Sequence, residues 1–173
     1  MQKIDSLLLK YIQKLSDGIQ VWIGLNNFAL AKIILTVAFI FYTQGFILWV
    51  HAHSFTPFII VGILIGGYFY FRLLFYINVG EKSSSNTDIL PILTIILRPM
   101  RIISLFAIIL NFAALVVRFK FFTVFEYIPT AVILLLCAFI LETASLYFAS
   151  CVPKPKQPSI LRELFKKKTL KVA

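Results

Sequence analysis

The chain has 173 residues, 60% hydrophobic and 16% aromatic against 14% charged, whereas a soluble domain carries about a quarter charged residues. That balance argues against a water-soluble globule and leaves room for one membrane-embedded unit, with no separate soluble domain. The net charge of +10 would suggest nucleic acid in a soluble protein. Here seven of the 17 lysines and arginines follow Cys151, the placement expected beside an anionic membrane face, so nucleic acid is not an expected partner.

Residues 1–24 carry Asp5 and Asp17 and lack both an unbroken apolar core and a small-residue cleavage site, so no secretory signal is expected. They also lack the arginines usual in a mitochondrial presequence. Ile4, Leu8, Tyr11, Ile12, Leu15 and Ile19 recur at helical spacing, while Lys3, Lys10, Lys14 and Asp17 fall elsewhere on the wheel. This pattern predicts an amphipathic helix lying in the lipid interface, with Trp22 as its anchor.

Residues 25–152 are predicted to form an all-α, four-helix transmembrane bundle. A spanning helix needs about 20 mostly apolar residues, and four stretches meet that length: about 28–50, 56–78, 100–118 and 122–151. Asn26 or Asn27 can cap the first, and Pro57 suits the first turn of the second. Residues 89–99, "ILPILTIILRP", are too short and proline-punctuated to span, and suit either an interfacial or a re-entrant piece. Lys3, Lys10 and Lys14, then Lys82, Arg98 and Arg101, then the tail, make three basic flanks. The 51–56 loop has no basic residue, and Arg118 and Lys120 form a minority on the opposite side. The positive-inside rule therefore places both termini in the cytoplasm, as in a bacterial inner membrane or, alternatively, a mitochondrial one.

The basic tail, 153–173, begins with Pro153, Pro155 and Pro158, which favour an extended linker, and continues into a short amphipathic helix that Ser159 can cap. Ile160, Leu161, Leu164 and Phe165 form its apolar edge. Arg162, Phe165, Lys166, Lys167 and Lys168 are the candidates for docking on anionic lipids at the cytoplasmic face or on an acidic protein groove.

Glu142 is the conspicuous residue of the last span. It lies thirteen residues from Pro129, about 20 Å at 1.5 Å per residue, where a charge is expected to face protein or water rather than lipid. Ala138, Glu142, Ser145 and Ala149 share one stripe, read as a packing face because small residues let helices approach closely. Arg72, fifteen residues from Pro57 and about 22 Å deep by the same rise, is the expected partner of Glu142. The alternatives are a snorkelling Arg72 beside a protonated Glu142, or Glu142 as an ion-coupling carboxylate. Gly62 and Gly66 form a GxxxG, read as packing within the bundle in preference to dimerisation.

Gln44 and Asn111 are read as structural hydrogen-bonding groups inside the bundle. His51 and His53 are two apart and do not share a helical face, and Cys137 and Cys151, fourteen apart on one helix, cannot bond to each other. No catalytic motif, metal-ligand spacing or cofactor fingerprint is present, so neither catalytic, cofactor nor metal residues are assigned. The expected role is a non-catalytic structural or assembly subunit of a larger membrane complex, with other membrane-protein subunits or further copies of itself as partners. A small oligomeric channel or membrane-perturbing protein, or a small transporter using Glu142, are the alternatives.

Overall fold

The structure, a computed structural model, describes residues 2–52, 58–83, 97–106, 108–110, 112–113, 127–152 and 160. The described residues contain no strand. Among the described residues four long helices are bounded: α1 Gln2–Ile23, α2 Asn27–Ala52, α3 Phe58–Ser83 and α4 Tyr127–Ala149. Residues 97–106, 108–110 and 112–113 are also helical and fall largely within the third expected span, whose remainder lies outside the described residues, as do His53, Asn111, 89–96 and the tail residues Arg162, Phe165 and Lys166–Lys168. Among the described residues three helices are long and apolar enough to cross a membrane: Asn27–His51, Ile59–Lys82 and Thr130–Ala149.

The helix ends follow from local chemistry. Gly24 closes α1 at φ 81°, a left-handed conformation that glycine adopts without a Cβ penalty, and its N–H donates to the Gln20 carbonyl at 2.9 Å. Asn26 then caps α2 by accepting the Ala29 N–H at 2.6 Å. Its neighbour Asn27 is buried and donates sideways to the carbonyls of Phe148 and Cys151 at 3.2 and 2.6 Å. The second span runs to Ser83 rather than ending near 78. Gly80 is helical and buried, and the next residue, Glu81, is ion-paired to Lys32 and accepts from Asn26 at 3.3 Å. These tertiary contacts hold the last turn against the glycine's entropic preference for a break.

α2 is the spine, and among these four helices its largest interface is with α4. The two run antiparallel: Asn27 meets the end of α4, while Gly45 lies against its start. A Cβ on Gly45 would stand 3.0 Å from both the Ala131 carbonyl oxygen and the Leu134 Cβ, so only glycine lets the backbones approach this closely. In that register Ala31 falls opposite Ser145, Ala38 opposite Ala138 and Gly45 opposite Ala131, a seven-residue repeat of small groups on both helices. All the side chains among them are buried, with Ala31, Ala131 and Ser145 at 0% exposure. Without a hydrophobic drive between helices in lipid, such close van der Waals contact is what holds a pair together.

α3 packs antiparallel on another face of α2. Gly62 and Gly66 receive the rings of Phe46 and Tyr42 where a Cβ would stand, the Tyr42 hydroxyl donates to the Gly62 carbonyl at 3.0 Å, and Phe39 stacks on Tyr70 at 4.8 Å. α3 and α4 are therefore parallel to each other, both laid on α2. We call the end bearing Asn27, Glu81 and Cys151 the base. Away from α2, α3 presents Ile60, Leu64, Phe71 and Phe75 outward, each at least 63% exposed, an inside-out distribution suited to lipid or protein contact.

Candidate functional site

Two polar arrangements stand out against this apolar bundle. The first is at the base and ties α1 to everything else. α1 splits its residues unlike the simple sequence wheel: Ile4, Leu7, Tyr11, Leu15 and Trp22 point outward, while Asp5, Ser16 and Gln20 are buried and Ile12 and Ile19 pack on the core. Its inward face is thus partly polar because it meets polar groups. The Asp5 carboxylate accepts from the Arg101 guanidinium in a two-pronged pair, at 3.0 and 3.1 Å, and from the Tyr147 hydroxyl at 2.9 Å. Arg101 also donates to Ser150 Oγ at 2.6 Å and lies 5.2 Å from the Tyr147 ring centroid. Ser150 in turn donates to the Leu146 carbonyl at 2.7 Å.

Both members of the pair are 3% exposed. Burial would push the Asp5 carboxyl up, but the hydrogen bonds from Arg101 and Tyr147 and the positive charge of Arg101 outweigh it and hold the group below its ordinary value. A second clasp lies farther along α1. Gln13 donates to the Val152 carbonyl at 3.1 Å, accepts the Val152 N–H at 2.8 Å and donates to Asp17 at 2.9 Å. Cys151, beneath it, has its thiol pushed up to about 12 by burial and by the negative charge of Asp17, which makes it a poor nucleophile.

None of the Asp5 contacts was anticipated from sequence. The available signal was that Asp5, Ile12, Ser16, Ile19 and Gln20 share one helical stripe, which marks a second face on α1. Arg101 was read only as an orientation charge.

The second arrangement is a cavity of about 360 Å³ enclosed by α2, α3, residues 103–104 and α4. Leu35, Ala38, Phe39 and Tyr42 supply one wall, and Ile65, Phe69, Tyr70 and Leu73 supply another. Ser104, Ala138, Phe139 and Glu142 close it. Among the described lining residues Glu142 brings the only formal charge. It is half-buried, and no described residue hydrogen-bonds or ion-pairs with it.

Arg72 is not brought to Glu142. It lies exposed on the outer face of α3, where it donates to the Tyr68 hydroxyl at 3.5 Å. The ion pairs among the described residues are Lys32–Glu81 and Arg101–Asp5. The physical reason is azimuthal: equal depth places two residues at one level, but α3 turns Leu73 and Ile77 inward and Arg72 away. Ala138, Ser145 and Ala149 are buried, and Glu142, on the same stripe, lines the cavity. Ser145 Oγ and Asn27 Oδ1 are buried without a hydrogen-bond partner. Among the described residues no three His, Cys, Asp or Glu side chains converge as a metal site would require.

Comparison with protein-family models, with curated proteins and with solved structures finds no match for this chain.

Proposed function

We propose that the chain is a non-catalytic, multi-pass membrane protein that serves as a structural or assembly subunit of a larger membrane complex. Arg72 carries this reading. It stands on the outward face of α3, among exposed aromatic side chains and ten residues from the helical Lys82, about 15 Å along the axis. An arginine facing lipid at depth costs about 2.5–3.5 kcal/mol on insertion scales. An acidic side chain on a neighbouring membrane helix offsets that cost, and the flanking Phe71 and Phe75 supply contact area for such a helix.

The bundle has four crossings in this proposal. α3 ends at the base and α4 starts at the opposite end, so the intervening chain returns across the bundle, which the helical residues from 97 onward support. α1 lies in the interface, with Ile4, Tyr11 and Trp22 toward lipid. The base faces the cytoplasm with both termini, by the distribution of lysine and arginine, and the basic tail docks on anionic lipids. The cavity at Glu142 favours, as a second reading, a small transporter.

A photoreactive phenylalanine analogue placed at Phe71 or Phe75 tests the subunit reading in native membranes. The expected product is a crosslink to one foreign membrane protein, through a helix that bears Asp or Glu, and Arg72→Leu removes it. Crosslinking only to lipid, or only to a second copy of this chain, overturns the proposal.

A further inference from the structure

The Glu142 cavity suggests a ligand class that is independent of any subunit role. We propose that it is a binding site for a membrane-partitioning amphipathic amine, whose ammonium group pairs with Glu142 and whose apolar body fills the space between α2 and α3.

Three observations point the same way. The volume of about 360 Å³ lies within the range of small-molecule sites, which enclose roughly 300–1,000 Å³ behind mostly apolar walls with a few polar groups. Among the described lining residues the single formal charge is negative, and no described residue hydrogen-bonds with it. A carboxylate left alone in apolar surroundings is costly, so a bound cation gains more here than a neutral molecule does. The walls also carry Phe39, Tyr42, Phe69 and Tyr70, and aromatic faces attract ammonium groups within about 6 Å. Among the described residues that line the cavity none is cationic, and Arg72 is turned outward on the other side of α3.

The route of entry selects the lipophilic character. Ile65, Phe69 and Ile103 line the cavity and are at the same time 51%, 54% and 67% exposed. Its mouth therefore lies between α3 and residues 103–104, on the flank of the bundle rather than at the base. A ligand arriving there comes from the bilayer. Ser104, which lines the same cavity as Glu142, has a hydroxyl that can accept a second N–H from a primary amine.

The test uses the full chain in nanodiscs of zwitterionic lipid and a matched pair of probes, 4-butylbenzylamine and 4-butylbenzyl alcohol. Binding is measured by equilibrium dialysis, with empty discs subtracted. The expected result is saturable binding of the amine at one site per chain, at least tenfold tighter than the alcohol. Glu142→Gln should lower amine affinity at least tenfold while leaving alcohol binding unchanged. Ser104→Phe, which fills the space and keeps the carboxylate, should abolish saturable binding of both probes and remains informative if Glu142→Gln fails to fold. Equal affinity for amine and alcohol, only the non-saturable uptake seen with empty discs, or unchanged amine binding in Ser104→Phe would each overturn the proposal.

Discussion

Replacing Asp5 with alanine should release α1 from the bundle while leaving α2, α3 and α4 packed. The carboxylate accepts three hydrogen bonds, at 3.0, 3.1 and 2.9 Å. Without it, Arg101 keeps Ser150 and the Tyr147 ring as partners but remains a buried cation at 3% exposure. Breaking such a pair from one side costs about 3–5 kcal/mol, which at about 1.4 kcal/mol per tenfold is a factor of roughly one hundred to several thousand in the docked-to-undocked ratio of α1. Asp5→Asn keeps an acceptor and should fall between alanine and the original. Amide hydrogen exchange in nanodiscs reads this directly: protection of residues 6–20 should drop by that factor, while α2 stays protected. Asp5→Ala combined with Arg101→Met removes the stranded charge and should recover part of the loss. The pH dependence has a definite sign. Because the folded carboxyl lies below its ordinary 3.8, the stabilisation is complete above that value and is lost as pH falls through the folded one. α1 protection, corrected for intrinsic exchange, should thus be flat from pH 8 to 5 and weaken below pH 4. A change of less than threefold in Asp5→Ala, or a double variant as weak as the sum of the singles, would refute the reasoning.

Three further predictions address the rest of the molecule. Gly45→Leu forces a side chain into the 3.0 Å gap to Ala131 and Leu134; overpacking costs about 1–3 kcal/mol or more, so folded yield in mild detergent should fall, while Gly67→Leu, with nothing within 4 Å of its Cβ, should be tolerated. Single cysteines at Ser84 and Ala173 should label from the cytoplasmic side and those at Ser54 and Lys120 from the other; Ser84 and Ala173 on opposite sides would contradict four crossings. Replacing Lys166, Lys167 and Lys168 with glutamine should weaken association with anionic vesicles, as should added salt acting on the original chain; binding indifferent to both points to an apolar groove instead.

Much of the architecture is legible in the residues themselves because it depends on local physics. A run of about 20 apolar residues fixes a helix long enough to span wherever its neighbours lie, so the spans beginning near 28 and 56 and the last one emerge within a few residues at most of their ends. Gly24 and Asn26 punctuate the chain through their own backbone and side-chain chemistry. The small groups at Ala131, Ala138 and Ser145, and at Ala31, Ala38 and Gly45, recur every seven residues and mark faces that can approach closely. Which charge compensates which is another matter, because it depends on rotation about helix axes and on which helices become neighbours. Depth alone suggested Arg72 with Glu142, yet packing Leu73 and Ile77 against α2 turns Arg72 out. Asp5 and Arg101 stand 96 positions apart, and neither shows a partner until α1 folds back against α4 and residue 101. Likewise the cavity exists only because α3 and α4 both take α2 as their support and leave a gap between them, with Glu142 over it.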